Sequence, residues 1–194
     1  MNKEQYTAQD IVVLDNIEAV QTRPGMYVGD VDSAQGYHHL LWELLDNAVD
    51  EASEGHATHV SVTLCPDGSA IVEDNGRGIP VDQHPSNNKS AAEIVLTTLH
   101  AGGKFSQKNY KAAGGLHGVG AAVVNALSAY LDVTIYRSGY TWNLKFIKGR
   151  THPPIHQGET PDKHGIRLHF IPTHATLHHP KFSTDTVTQR LHLY

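Results

Sequence analysis

The sequence GGLHGVGAAVVNALSAY (114–130) joins a glycine-rich turn to an apolar pattern at helical spacing. Four glycines in its first seven residues let the backbone adopt positive φ and approach a ligand without interference from a Cβ atom. The helix that follows presents unpaired N–H groups and roughly half a positive charge at its start, which together favour a phosphate. Glycine-rich turns also end many helices, so the phosphate interpretation depends on motifs elsewhere in the chain.

The first of these motifs lies on a predicted helix over 36–53, in the string YHHLLWELLDNAVDEAS, whose leucines, alanine and valine form a broad apolar face. Glu43 and Asn47 are four residues apart and project from one side of this helix, and Asp50 and Glu51 continue the polar ridge. The ridge is either a solvated helix face or a site. As a site, it makes Glu43 a general base towards a water and Asn47 an oxygen ligand for Mg²⁺.

The second motif is EDNGRGIP (73–80), at the end of a predicted hairpin whose strands are 58–65 and 69–74, with PDG at the turn. Asp74 ends the second strand, where its carboxylate can accept a hydrogen bond from an exocyclic amine such as that of adenine. The alternative is an ordinary Asx turn. Arg77 can pair with Glu51 or with a ligand, and Pro80 stiffens the end of the loop.

The rest of the chain alternates between predicted elements and turns. RPGMYVGD (23–30) is predicted to be a loop with a turn, and 101–118 to be a long functional connection of the kind that often forms a lid. The remaining predictions are helices over 10–22 with Asp10 as N-cap, 90–100 with Ser90 as N-cap and Glu93 at the capping-box position, 119–129 and 184–192, and strands in LDVTIYRSG, YTWNLKFIKG and GIRLHFIP.

Composition limits the class of protein. The 194 residues carry 39% apolar and 18% charged residues, which indicates a folded chain of one domain or at most two. The formal net charge is −5 without dense runs of Lys or Arg, which argues against a primary DNA-binding surface. Cys65 is the single cysteine, and the first ten residues lack the apolar core of a signal peptide, so a reducing cytoplasm is expected. The 15 histidines show no zinc-site spacing, although His38-His39 and His178-His179 could bind metal weakly.

Taken together the motifs are far more specific than any one of them. RPGMYVGD, DNAVDEA (46–52), EDNGRGIP, LHAGGKF (99–105) and GGLHGVGAAVVNALS (114–128) resemble the ATPase domain of bacterial type IIA topoisomerases, over nearly the whole chain. That family shares the Bergerat ATP-binding fold with Hsp90, histidine kinases and the MutL repair proteins. The motifs do not separate DNA gyrase from topoisomerase IV, although KFSQKNY (104–110) leans towards topoisomerase IV.

The resemblance implies an α+β fold, a two-layer α/β sandwich with helices on one face of a mixed or antiparallel sheet. ATP would lie between the helix layer and a lid at 101–118. Residues 1–194 would form the N-terminal ATP-binding domain of a longer subunit. ATP binding would dimerise two copies and close a gate on DNA, together with a DNA-cleaving subunit and away from any membrane. ATP-competitive inhibitors would occupy the adenine pocket.

The resemblance also implies a role for each matching residue. Glu43 would activate the attacking water, Asn47 would hold Mg²⁺ on the ATP phosphates, and Asp74 would bind the adenine amino group. The other expected nucleotide-binding residues are Asp50, Glu51, Arg77, Gly78, Ile79, Pro80, Gly102, Gly103, Lys104, Tyr110, Leu116, His117, Gly118, Val119, Gly120, Arg137, Ile166 and, in an arm reaching the partner subunit's nucleotide, Tyr6.

Two departures from the family pattern affect these expectations. The family usually has Gly-Thr before its last core strand, where this chain has Gly165-Ile166, so adenine contacts are expected to be weakened or rearranged. The lysine that a second domain brings to the γ-phosphate lies beyond this chain, so the chain alone is expected to hydrolyse ATP poorly. Alternatives are a chaperone-type or mismatch-repair-type nucleotide-regulated binding module, a kinase ATP domain, and a non-catalytic relative.

Overall fold

The computed structural model describes residues 7–8, 11, 13–86, 88–102, 118–178 and 181–194. It contains six helices and six strands within these ranges. In chain order they are α1 (Asn16–Thr22), α2 (Gly25–Val28), α3 (Ala34–Ser53), β1 (Val60–Leu64), β2 (Ala70–Asp74), α4 (Ala91–Thr97), α5 (Gly120–Ala126), β3 (Ser128–Arg137), β4 (Tyr140–Ile147), β5 (Arg150–Glu159), β6 (Gly165–Pro172) and α6 (Thr184–Leu191).

The six strands form one sheet in the order β1-β2-β6-β3-β4-β5, and every neighbouring pair is antiparallel. The hairpin β1–β2 therefore reaches the β3–β4–β5 meander through β6, the last strand in sequence. This insertion places the end of β2 beside the start of β6, which brings residues distant in sequence to one end of the sheet.

Side chains on the core face of the sheet line up in rows across the strands, because directly paired residues of antiparallel strands project to the same side. Two of these rows are apolar. They consist of Ala70, Phe170, Leu131 and Phe146, and of Val72, Leu168, Val133 and Leu144. The third row starts with Asp74 and continues through Ile166, Ile135 and Trp142. A carboxylate thus occupies a core-facing position at the edge of an apolar layer.

The helices supply the second layer. On α3 the buried side chains include Leu40, Leu41 and Leu44, and they join the sheet rows and α5 in one hydrophobic core. The predicted α+β two-layer sandwich is confirmed, and its sheet is antiparallel throughout the described residues. Among those residues, none of the helices has both the length and the apolar character that crossing a membrane requires.

Local signals at helix ends account for several boundaries. Ser90 accepts a hydrogen bond from Glu93 N at 3.1 Å and caps α4, as predicted. Gly55 has φ +77° just beyond α3, where an L-residue with a side chain would be strained. The predicted helix over 184–192 is confirmed as α6, which Ser183 caps through Thr186 N.

Three boundary predictions were wrong. The first helix begins at Asn16, because Asp15 and Glu18 form a capping box there; the predicted cap, Asp10, lies outside the described residues. RPGMYVGD contains the one-turn helix α2, which Pro24 opens and Gly29 closes at φ +75°. The helix predicted over 119–129 ends at Ala126, since Ser128 already pairs with Pro172 of β6.

The strand β5 was missed by the sequence analysis. Its sequence RTHPPIHQGE contains two consecutive prolines, which lack the N–H needed inside a sheet. The prolines are compatible with a strand here because β5 pairs only with β4 and forms the edge of the sheet, where unpaired backbone positions are tolerated.

Candidate functional site

A cavity of 330 Å³ lies between α3, the ends of α4 and α5, and the end of the sheet where β2 meets β6. This volume is typical of a small-molecule site. At one end, where β2 meets β6, Asp74 lies beside apolar side chains such as Ile166, and at the other end Glu43 lies against the glycine that opens α5. The lining residues are Glu43, Leu44, Asn47, Ala48, Glu51, Asp74, Arg77, Gly78, Ile79, Pro80, Val95, Leu96, Ala101, Gly102, Gly118, Gly120, Ala121, Arg137, Ile166 and Leu168.

The polar stripe of α3 faces this cavity. Glu43, Asn47 and Glu51 follow one another at intervals of four residues, so one side of the helix presents all three to the same space. The leucines of α3 point into the core and fix the rotation of the helix. Of the two readings left open by the sequence, the stripe therefore lines a site, although the Glu43 side chain retains access to solvent.

Glu43 lies directly against the start of α5. A Cβ atom added at Gly120 would overlap the Glu43 carboxylate and would stand 2.8 Å from its carboxyl carbon and 3.0 Å from its Cβ. Glycine at this position therefore permits the carboxylate and the first turn of α5 to come together. His39, one turn earlier on α3, places Nδ1 3.6 Å from Glu43 Oε1. His39 was predicted only as a weak metal ligand beside His38, and its contact with Glu43 was not predicted, although the i,i+4 spacing is visible in the sequence.

Asp74 forms the polar end of an otherwise apolar wall. Its side chain is in the core-facing row beside Ile166, it is 7% exposed, and Oδ1 accepts a hydrogen bond from Gly76 N at 2.8 Å. Burial raises the pKa of this carboxyl to about 6; the Gly76 hydrogen bond opposes the rise, and the nearby charges of Glu51 and Glu73 add to it. Asp74 is thus a desolvated acceptor whose charge state changes close to neutral pH.

The loop after β2 is held in place by two arginines. Arg77 donates from Nε and Nη2 to the two carboxylate oxygens of Glu51, at 3.0 and 2.7 Å, in a two-pronged ion pair. Arg137, at the end of β3, donates from Nη1 to the carbonyl oxygen of Arg77 at 2.8 Å. Of the two partners predicted for Arg77, the structure shows Glu51, and the pair forms one wall of the cavity.

Gly165 makes the close passage of this loop possible. It has φ +115°, and a Cβ atom here would overlap the carbonyl oxygen of Asp74 and stand 2.8 Å from Asn75 Cα. A side chain at 165 would therefore push β6 away from the end of β2. The next residue, Ile166, pairs with Asp74 and lines the cavity.

Most of the predicted site residues meet in this cavity. Those that line it are Glu43, Asn47, Glu51, Asp74, Arg77, Gly78, Ile79, Pro80, Gly102, Gly118, Gly120, Arg137 and Ile166. Asp50, which is buried, and Val119, which precedes α5, are not among the lining residues. Tyr6, Gly103, Lys104, Tyr110, Leu116 and His117 lie outside the described residues and remain predictions.

Part of the apolar lining was not predicted. It comes from α3, the end of α4 and the loop after it, the start of α5 and β6, namely Leu44, Ala48, Val95, Leu96, Ala101, Ala121 and Leu168. The capping signals at Ser90 and Glu93 predicted the helix α4, but only the packing of α4 on α5 shows that Val95 and Leu96 border the cavity.

Comparison with known proteins assigns this arrangement to a family. The family described as histidine kinase-, DNA gyrase B-, and HSP90-like ATPase matches residues 32–176. The DNA gyrase B protein of Archaeoglobus fulgidus is 52% identical over 192 residues, which cover 96% of this chain and 30% of that protein. The DNA gyrase B protein of Thermotoga maritima is 49% identical over 189 residues, covering 97% of this chain and 29% of that protein. The chain thus spans about a third of the length of these relatives.

A solved structure shows the same fold. The 43K ATPase domain of Thermus thermophilus gyrase B, crystallised in complex with an aminocoumarin, aligns with a TM-score of 0.79 and 41% sequence identity. The alignment covers 92% of this chain and 44% of that one. Because these three relatives are all gyrase proteins, they lend no support to the leaning of KFSQKNY towards topoisomerase IV.

Proposed function

This chain belongs to the histidine kinase-, DNA gyrase B- and HSP90-like ATPase family, and we propose that it binds and hydrolyses ATP in the cavity beneath α3. The observation that carries the proposal is the pairing, in one cavity, of a buried carboxylate at an apolar end with a carboxylate, an amide and two glycines at the other. An adenine base requires the first kind of environment and a triphosphate the second.

The apolar end suits adenine. Ile79, Ile166 and Leu168 offer flat apolar surface to the faces of a purine ring, and Asp74 offers an acceptor to its exocyclic amine. Because Asp74 is largely removed from water, a hydrogen bond to its carboxylate is stronger than it would be on the surface. The Gly76 N–H fixes the orientation of the carboxyl group before a ligand arrives.

The opposite end suits phosphates. Gly118 and Gly120 bring backbone close to the cavity without a Cβ atom in the way, and Asn47 directs an amide towards the same space. The described residues include no group of three or more His, Cys, Asp or Glu that could hold a metal ion. Asn47 is the residue that would hold a Mg²⁺ ion at this end, and the ion would neutralise charge on the phosphates.

Glu43 is the proposed general base. Its carboxylate lies at the start of α5, on the phosphate side of the cavity, where it can accept a proton from a water that attacks the terminal phosphate. His39 stands one helical turn away and contacts the same carboxylate. Residues 101–118 would cover the nucleotide as a lid, with Gly102 and Gly118 at its two ends in the cavity lining.

For the longer protein we propose the role of a type IIA DNA topoisomerase component. The support is the identity of about half of all residues to gyrase B proteins over nearly the whole chain. In this proposal ATP dimerises two copies in the cytoplasm and closes a gate on a DNA segment, and a partner protein cleaves the DNA. Inhibitors that compete with ATP would bind at the Asp74 end of the cavity.

Calorimetry with a non-hydrolysable ATP analogue tests the site assignment. The Asp74→Ala variant should lose measurable binding, because the amine of the base then has no acceptor. Glu43→Ala should bind like the wild type and should lose turnover in the full-length protein. The assignment is wrong if both variants bind the analogue with the wild-type affinity.

A further inference from the structure

Asn125 is a buried polar residue that has no role in the ATP binding and hydrolysis proposed above. It lies on α5, is 1% exposed, and donates from Nδ2 to the carbonyl oxygen of Leu96 at 2.8 Å. Leu96 is in the last turn of α4, where carbonyl groups have no partner within the helix. Asn125 therefore caps α4 from a neighbouring helix.

This hydrogen bond connects the two sides of the 101–118 connection. Helix α4 precedes the connection, and Val95 and Leu96 on α4 line the cavity. Helix α5 follows it, and Gly120 and Ala121 on α5 line the cavity from the other side. The bond thus fixes the separation of the two anchors from which the connection starts and ends.

A packing role alone does not explain an asparagine here. Its Oδ1 is buried and has no hydrogen-bond partner among the residues that the structure describes. Burying an unpaired acceptor is unfavourable, and an apolar side chain of the same size avoids it. Asparagine differs from leucine at this position because its Nδ2 group can donate a hydrogen bond to the carbonyl oxygen of Leu96.

Helix α5 is short, so its position depends on such ties. From Asn125 to Gly120 is about 7.5 Å along the helix axis at 1.5 Å per residue. Gly120 in turn contacts the Glu43 carboxylate on α3. A displacement of α5 relative to α4 would move the start of α5 away from Glu43 and from the phosphate end of the cavity.

We propose that Asn125 is a positioning residue for the triphosphate: its bond to Leu96 holds α5 so that residues 118–120 meet the phosphates. This inference rests on the proposed ATP site. It assigns Asn125 no contact with the nucleotide itself, and it separates the phosphate end, which depends on α5, from the base end, which is built by β2 and β6.

The chain offers a matched control for this role. Gln21 on α1 also donates a side-chain amide to α5, from Nε2 to the carbonyl oxygen of Ala126 at 2.9 Å. This bond ties α5 to α1 and does not involve α4. Gln21→Leu therefore removes one side-chain tie to the same helix and leaves the bond between the two anchors intact.

The test compares two probes, a non-hydrolysable ATP analogue and adenosine, by calorimetry on this chain. Asn125→Leu should weaken the analogue about tenfold, which is about 1.4 kcal/mol, and change the adenosine affinity less than about twofold. Gln21→Leu should leave both affinities within about twofold. If Asn125→Leu does not fold, Asn125→Ser is measured instead, because its short hydroxyl side chain cannot reach Leu96.

Each other outcome has a definite meaning. Equal losses for both probes, or no loss for either, overturn the positioning role. The same holds if neither Asn125 variant folds, because the residue is then structural. If the wild-type chain binds neither probe, both the proposed ATP site and this inference are refuted. If the wild-type chain binds both probes, the ATP site stands and the variants test the positioning role of Asn125 separately.

Discussion

Replacing Asp74 with asparagine should make the ligand-free protein more stable at pH 8 and should remove its affinity for ATP, because an amide that keeps its oxygen on Gly76 N presents an NH₂ donor, and no acceptor, to the amine of the base. The carboxyl group is nearly buried, and burial raises its pKa to about 6. A folded-state pKa above the unfolded value means that the folded state binds the proton more tightly. The stabilisation from that proton is fully present below the unfolded pKa and is lost as the pH rises through about 6.

The size of the effect follows from this pKa. It rises from the ordinary value of 3.8 to about 6, and each unit corresponds to about 1.4 kcal/mol. The ionised carboxylate therefore destabilises the folded chain by about 3 kcal/mol at pH 8. Asparagine keeps the acceptor for Gly76 N and carries no charge, so most of this energy is recovered. For a chain of this size, the melting temperature should rise by about 6–10 °C.

Thermal unfolding of Asp74→Asn and the wild type at pH 4 and pH 8 measures this difference, with calorimetry for the ATP analogue. The gain in melting temperature should appear at pH 8 and nearly vanish at pH 4, where the wild-type carboxyl is protonated. Asp132→Asn, which neutralises an aspartate on the other face of the sheet, is the control for a change of one charge. A loss of stability at both pH values, or wild-type binding of the analogue by Asp74→Asn, would refute the reasoning.

Three further predictions concern the cavity. Gly120→Ala should reduce turnover of the full-length protein about 100-fold, because the new Cβ atom displaces the Glu43 carboxylate. The melting temperature should not fall, since alanine favours a helix. Unchanged turnover would show that Glu43 is not the base. Ile166→Thr should tighten binding of the ATP analogue about fivefold in calorimetry, through one added hydrogen bond of about 1 kcal/mol beside Asp74; weaker binding would contradict this. Arg77→Lys should lower the melting temperature by about 2–4 °C, because lysine cannot reproduce the two-pronged pair with Glu51; an unchanged melting temperature would mean that the pair adds no stability.

Local signals in the sequence predicted the elements that carry the polar residues. The spacing of leucines on α3 predicts both the helix and the side from which Glu43 and Asn47 project, and the PDG turn predicts the hairpin that ends at Asp74. These features depend on residues close together in the chain. Backbone periodicity and turn chemistry determine them without reference to the rest of the fold.

The features that the sequence did not predict depend on long-range packing. The contact between Glu43 and Gly120 requires α5 to pack against α3, and the apolar lining from Val95 and Leu96 requires α4 to border the cavity. The pairing of Asp74 with Ile166 depends on the register of β6, which is inserted between β2 and β3. In β5 the prolines contradict the local strand signal, and only the edge position makes the strand possible.

The pairing of Asp74 with Ile166 joins the stability of the fold to base recognition. Ile166 is directly opposite Asp74 in the core-facing row, so its side chain helps to exclude water from the carboxyl group. Exclusion of water is the largest cause of the raised pKa of Asp74. The same isoleucine therefore makes the empty site less stable near neutral pH and makes a hydrogen bond from the ligand to Asp74 stronger once it forms. A threonine at this position would bring a hydroxyl to share the base but would also admit water to the carboxylate. In this chain, recognition at the base end depends more on Asp74 than it would with threonine at 166, because Ile166 brings apolar surface and no hydrogen-bonding group.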